Sequence, residues 1–279
     1  MFYLCVIAQI NITCVLKIFH IYVPHRADEG RNTVLMKLEE VTRSKTKISC
    51  ANFHTRDFCL PQNINDYEID RVNRIVQMRR TIKKGSKLIK PGMAFHAIYA
   101  IRTGFFKTSV STESGQEQLL GFQMTGDSLG MDGIATQKHS SDVVALEDSD
   151  ICVFPIHEIE NLSRVSPVFQ RHFLQMLSKE IVRESQSMLM LSQMSAEVRV
   201  ASFIQNLTQR LRARGFSNTE LLLRMTRVEM GQYLGLKLET ISRTLSKLSH
   251  NNIIEINRRH LRILDKAGLT RITGISDQK

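Results

Sequence analysis

Residues 226–248, TRVEMGQYLGLKLETISRTLSKL, decide how this chain is read. Thr226 and Glu229 stand three apart at the head of an apolar run. That is the spacing of a capping box, in which hydroxyl and carboxylate each satisfy an otherwise unpaired backbone amide at a helix start. The helix so opened has Val228, Met230, Tyr233 and Leu234 as its inward positions. Gly235 ends it in a tight turn, and a second helix runs from Leu238 to Leu248 with Ile241, Leu245 and Leu248 as its apolar face. Two short helices about a glycine-containing turn make a helix-turn-helix, whose second helix is shaped to enter a DNA major groove. Glu239, Ser242 and Arg243 occupy the opposite face of that second helix. They suit base edges: arginine pairs bidentately with guanine, glutamate accepts from cytosine, and serine adapts to either. Beyond them, IIEINRRHLRIL at 253–264 alternates about a turn at Arg258–His260, the pattern of a β-hairpin wing. Arg258, Arg259 and Arg262 are placed there for phosphates.

The charge distribution agrees. The 279 residues carry 38 Lys and Arg against 27 Asp and Glu, a net +11, and from Ala196 onward basic side chains outnumber acidic ones by 15 to 7. The remainder is only slightly basic, so the surplus concentrates at the end that holds the helix pair, as expected of a double-stranded DNA partner. With 42% hydrophobic residues the composition excludes disorder, collagen and a multi-span membrane protein. G-x-S-x-G, H-E-x-x-H and phosphate-cradling glycine loops are missing from the sequence and the nine histidines are mostly scattered, so no enzyme is expected. Five scattered cysteines read as reduced thiols of a cytoplasmic protein. Residues 1–23 are apolar but broken by Gln9, Asn11, Thr13, Lys17 and His20. They lack a basic leader and a cleavage site, and are read as a poorly ordered extension ahead of Met36 rather than a membrane anchor.

The first half has a different texture. Eight of the 14 glycines fall between Gly85 and Gly133, separating short alternating stretches such as HAIYAI, FFKTSV and EQLLGFQM. This predicts a compact antiparallel β-roll over roughly residues 80–156. A short helix from Asn65 to Met78 precedes it, with Ile69, Val72, Ile75 and Val76 as its stripe. Ser166 followed by Pro167 opens a long helix, an oxygen-bearing cap and then the residue that needs no amide partner, running to about Met194. Leu174, Ile181 and Met188 recur every seven residues, and Leu177, Glu184 and Leu191 repeat offset by three. These are the a and d positions of a coiled-coil seam, hence a homodimer interface. Glu184 brings two carboxylates together in such a seam. At about 6 Å and an effective dielectric near 20 they repel by roughly 3 kcal/mol, so the pairing is weak unless something offsets it.

A β-roll, a long dimer helix and a C-terminal winged helix-turn-helix together form an α+β architecture that resembles the CRP/FNR superfamily of bacterial transcription regulators. DFCLP at Asp57–Pro61, YAIRTG at Tyr99–Gly104, QMTGDSLG at Gln123–Gly130 and GLKLETISRTL at Gly235–Leu245 are similar to the FNR branch. The resemblance divides the chain into an unmatched extension (1–45), a sensor domain with a cyclic-nucleotide-binding-like β-roll (46–165), a dimerisation helix (166–195) and a DNA-binding domain (196–279). It places the family's E-x-x-S-R reading motif on Glu239, Ser242 and Arg243 and implies an operator of TTGAT and its inverted partner around four free base pairs. It implies an oxygen-labile [4Fe–4S] cluster held by Cys50, Cys59 and Cys152, with Phe53 where the family has a fourth cysteine. His54, Asp57 or a thiol of the extension is then left as fourth ligand. A Cys3His zinc site and unmetallated thiols are the alternatives, the latter making the protein constitutive or responsive to another small molecule in the β-roll. Positions Asp132, His139 and Ser140 lack the arginine that nucleotide-binding members use for the cyclic phosphate, so no cyclic nucleotide is expected. The resemblance also implies an activator's contact with RNA polymerase, through the loop Ser111–Gln116.

Overall fold

The computed structural model describes residues 66–75, 79–111, 115 and 117–274. The extension, Cys50, His54, Asp57, Cys59, Asn65 and most of the 111–116 loop lie outside the described residues. Helix α1 (Asp66–Ile75) leads into eight strands: β1 (Arg79–Ile82), β2 (Lys87–Ile89), β3 (Ala97–Thr103), β4 (Phe105–Ser111), β5 (Glu117–Met124), β6 (Ser128–Leu129), β7 (Asp142–Ala145) and β8 (Ser149–Pro155). They form two four-stranded sheets, β1-β8-β3-β6 and β2-β7-β4-β5, antiparallel throughout. The β-roll therefore spans the residues that its turns and alternation predict.

Strand alternation sorts its side chains. Ile151 and Val153 of β8 point between the sheets with Ile82, Ile101, Phe106 and Val143. Cys152 and Phe154 point the other way, into a second apolar cluster with Ile69 and Val72 of α1. The step from β3 to β4 needs Gly104, whose φ is +115°, and a Cβ there would lie 2.0 Å from Ser149 Oγ.

Helix α2 (Ile156–Val165) ends at Ser166, and α3 (Pro167–Gln193) begins there. The Ser166 hydroxyl accepts from the Phe169 amide at 3.1 Å, and Pro167 takes the first helical position. The winged-helix domain follows: α4 (Ala196–Ala213), β9 (Glu220–Leu222), α5 (Arg227–Leu234), α6 (Leu238–His250), β10 (Ile254–Asn257), β11 (His260–Ile263) and α7 (Lys266–Thr273). The wing strands pair antiparallel from Ile254 with Ile263 to Asn257 with His260, and β9 adds a third strand beside β11. Among the described residues no helix is long and apolar enough to cross a membrane.

β-roll and winged helix share one apolar cluster. Phe105, Leu119, Phe122 and Met124 of the β4–β5 hairpin join Phe203 and Ile204 of α4 and the whole core beneath α5 and α6. Phe122 packs on Phe203 and Tyr233 with ring centroids 5.9 and 5.4 Å apart. Polar clasps surround this seam. Asp127, in the turn after β5, pairs with both Arg210 and Arg214 of the winged-helix domain. Burial pushes the Asp127 carboxyl up, but the Arg210 and Arg214 guanidinium groups, the nearby Arg183 charge and the Met124 amide outweigh it and hold it below the ordinary carboxylate range. Its contribution to folding is thus complete above about pH 5 and drains away as pH falls through the unfolded value toward the lower native one. We expect Asp127→Asn to cost on the order of 2 kcal/mol at pH 7, because it removes a mostly buried charge from two arginines. Calorimetry should show the wild-type melting temperature falling between about pH 5 and pH 3 and the variant's falling less. Parallel pH profiles for the two proteins would contradict the pairing.

Candidate nucleic-acid interface

The capping box forms in both directions. Thr226 Oγ1 accepts from the Glu229 amide at 3.1 Å, and Glu229 Oε2 accepts from the Thr226 amide at 2.7 Å. The other Glu229 oxygen reaches Lys107 of β4 at 3.1 Å, both side chains being largely buried. Burial raises the Glu229 carboxyl, but the Thr226 and Lys107 contacts outweigh it and hold it below its usual value. Gly235 closes α5 in the left-handed region at φ +62°. Gly231 lets the turn fold back: a Cβ there would lie 2.5 Å from the Leu236 carbonyl oxygen. Met230 and Leu234 are fully buried as expected, and Tyr233 packs on Phe122 and Phe203. Val228 is not inward: it is 51% exposed. In a helix of eight residues the capping box already sets which face turns inward, and Val228 lies on the side away from Met230 and Leu234.

Helix α6 buries Ile241, Thr244, Leu245 and Leu248. Glu239 and Arg243 are exposed and Ser242 half-buried, at i, i+3 and i+4 on one face. Arg227, at the first position of α5, reaches Ser242 Oγ at 3.5 Å, a neighbour the sequence did not single out. At the wing tip Arg258 has φ +55° and is exposed with Arg259. The Arg259 carbonyl accepts from the Leu223 amide at 2.8 Å, anchoring the turn to the strand region of β9. Among the described residues Glu239, Arg243, Arg258 and Arg259 have no side-chain partner, so they are available to a ligand. Arg262 is shared with Glu220 at 3.6 Å, an exposed pair that costs little to open.

In the β-roll, the Asp132 carboxylate accepts from the Ser140 and Ser141 amides at 2.9 and 3.1 Å and from Ser141 Oγ at 2.9 Å. His139 Nδ1 meets the same carboxylate at 2.9 Å. Burial raises the Asp132 carboxyl, but these bonds outweigh it and hold it low. The loop's amides are therefore already occupied by an internal anion, where an external phosphate would need them. A groove of about 1190 Å³ runs past Asp132, Ser140 and Ser141 to Leu177, Glu180 and Arg183 of α3. Cys152 is half-buried in the cluster that holds α1 and also Phe169 and Phe173 of α3. Among the described residues no three His, Cys, Asp or Glu side chains gather as a metal site.

Of the expected seam along α3, Leu174, Leu177 and Leu191 are half-buried against their own chain. Glu184 is exposed, and Ile181 and Met188 are 43% and 60% exposed. Val182 and Leu189 widen the same open apolar face.

A β-roll joined through a long helix to a winged helix-turn-helix defines a regulator of the CRP class. Residues 79–165 match the cyclic nucleotide-binding domain family and residues 198–272 the Crp-like helix-turn-helix domain. Sequence relatives narrow the class. The chain is 38% identical to the transcriptional regulatory protein btr of Bordetella pertussis, over 81% of this chain and 93% of that one. It is 37% identical to an anaerobic regulatory protein of Haemophilus influenzae, over 83% and 90%. It is 36% identical to a fumarate and nitrate reduction regulatory protein of Vibrio cholerae, over 83% and 92%. The fold is similar to FixK2 of Bradyrhizobium japonicum at a TM-score of 0.66 and 23% identity, covering 71% of this chain and 98% of that one. The chain belongs to the FNR-type transcription regulators of the CRP/FNR superfamily.

Replacing Arg243 by Ala should weaken binding to a guanine-containing operator by roughly 1–3 kcal/mol per subunit while leaving random-sequence DNA nearly untouched. Titration by fluorescence anisotropy on both duplexes checks this, and equal losses on the two would remove the base-reading role.

Proposed function

We propose that this protein is an oxygen- or redox-responsive regulator that binds an FNR-like palindromic operator as a homodimer in the cytoplasm and contacts RNA polymerase there. The observation that carries the reading is the unpartnered Glu239–Arg243 face of α6 beside the Arg258–Arg259 wing. A palindrome requires a two-fold dimer, and the open apolar face of α3 supplies a self-complementary surface for a second copy. The names of the relatives, two of them anaerobic or fumarate and nitrate regulators, support the stimulus.

Cys50, Cys59 and Cys152 would hold an iron–sulfur cluster, with His54, Asp57 or a thiol of the extension completing the set. The donor chemistry fits, since thiolates are the soft anionic ligands that iron–sulfur centres take, though Phe53 leaves the family's set one thiolate short. Bound there, the cluster supplies an oxygen-labile redox centre. Cys152 stands in the same apolar cluster as Phe169 and Phe173 of α3. Tethering residues 50–59 at Cys152 would therefore brace the first turns of α3 and favour the paired state against the Glu184 repulsion. The Asp132 clasp speaks against a cyclic nucleotide. A second reading, another small molecule in the groove beside α3, rests on that groove's volume and is separated from the first by metal content.

Protein purified without oxygen should contain about four irons and four acid-labile sulfides per chain, with broad absorption near 400 nm lost in air. Zinc in place of iron, or no metal at all, would overturn the cluster. Glu184→Ala should give a dimer that binds operator in air, and a monomer by aerobic sedimentation would remove the seam's role as the switch.

A further inference from the structure

The geometry points to Arg199 as the positioning residue that locks the DNA-reading head to the dimer helix and so sets which half-site spacing the protein accepts. Arg199 lies in the first turn of α4. Its guanidinium closes two other helices. Nη2 donates to the Leu191 carbonyl at 2.8 Å and Nε to the Met194 carbonyl at 2.9 Å, both at the C-terminal end of α3. Nη1 donates to the Leu234 carbonyl at 3.0 Å, the last residue of α5.

Helix C-termini leave unpaired carbonyls and carry the negative end of the macrodipole, so one cation serves both ends at once. Among the described residues Arg199 has no carboxylate partner, and the two helix ends are what balances its charge. The turn that follows packs directly on it: a Cβ at Gly235 would lie 3.4 Å from Nη1 and 3.5 Å from Leu191 Cδ2. Because three donors of a planar fork are engaged, the joint fixes direction as well as distance. A further direct hydrogen bond between described residues of these helices, the hydroxyl pair of Tyr233 and Ser187 at 3.1 Å, has far less directional constraint.

The inference rests on the dimer-and-operator reading. In a dimer, the end of α3 carries the two-fold geometry and α5 carries α6, so the Arg199 joint sets how far apart and at what angle two α6 helices stand. One added base pair turns a half-site by about 34° and moves it by about 3.4 Å, which a rigid joint cannot follow.

The test measures binding of anaerobically purified full-length protein to duplexes carrying TTGAT and ATCAA three, four or five base pairs apart, and to a duplex with one half-site. Wild type should lose roughly tenfold or more per base pair of altered spacing, comparable to a mismatch. Arg199→Gln, and Arg199→Lys with a charge but no fork, should bind the single half-site as wild type does and lose less than about threefold across the spacings, as the slackened joint adapts. Variants that keep the wild-type spacing preference, that weaken on every duplex alike, or that lose their cooperative thermal transition would overturn the inference, since Arg199 would then serve only folding. Wild type indifferent to spacing would instead refute the operator reading itself, and this inference with it.

Discussion

The arrangement depends on one apolar contact, the β4–β5 hairpin laid against the helix-turn-helix. Phe122, Phe203 and Tyr233 pack mutually ring on ring, and from there the cluster continues without a break to Ile241, Leu245 and Leu248 beneath the exposed face of α6. Neither domain owns this core. A displacement of β5 is a displacement of the floor on which α5 rests, because close-packed interiors shift as units rather than deform. Any signal reaching the β-roll thus has a mechanical route to α6.

Magnitudes separate what holds this contact from what orients it. Each well-buried aromatic or aliphatic side chain contributes about 1.5–3 kcal/mol, so the hydrophobic seam supplies most of the adhesion. Of the ion pairs around it, Arg224 with Glu147 is partly solvated and modest, while Lys107 with Glu229 and Asp127 with its two arginines are largely buried, so desolvation offsets much of their attraction. Their value is registry. Glu229 belongs to the capping box and to the Lys107 pair together, so the start of α5 is clamped to β4 by the same carboxylate that begins the helix. Arg199 does the corresponding work at the other end of α5. Helix α5 is therefore held at both termini, one by strand β4 of the β-roll and one through Arg199 by the C-terminal end of α3.

The local parts of this were legible in the sequence and the long-range parts were not. Thr226, Glu229 and Gly235 specify their helix and turn within ten residues, and Ser166–Pro167 marks the start of α3 the same way. Alternation located the β-roll and the wing. Strand β9, three residues long, gives too short a pattern to stand out, and α7 is only eight residues between its caps Asp265 and Gly274. Val228 turns outward because two turns of helix hold too few apolar positions to fix a face by periodicity, and Met230 and Leu234 already define the buried one. Lys107 and Glu229 lie 122 positions apart and Arg199 is 35 from Leu234, so no spacing rule reaches them. The ligand set was read from resemblance, and of its three cysteines only Cys152 falls within the described residues, on the face of β8 turned toward α1 and α3.

The central claim is that Glu239, Ser242 and Arg243 meet base edges on two symmetric half-sites. Methylation interference on a TTGAT–ATCAA duplex, with the anaerobic protein, examines it at single-atom detail. N7-methylation of the guanine in each half-site should abolish binding, in two symmetric positions about one helical turn apart, because a bidentate arginine needs that atom. Binding that tolerates methylated guanine in both half-sites would contradict the account.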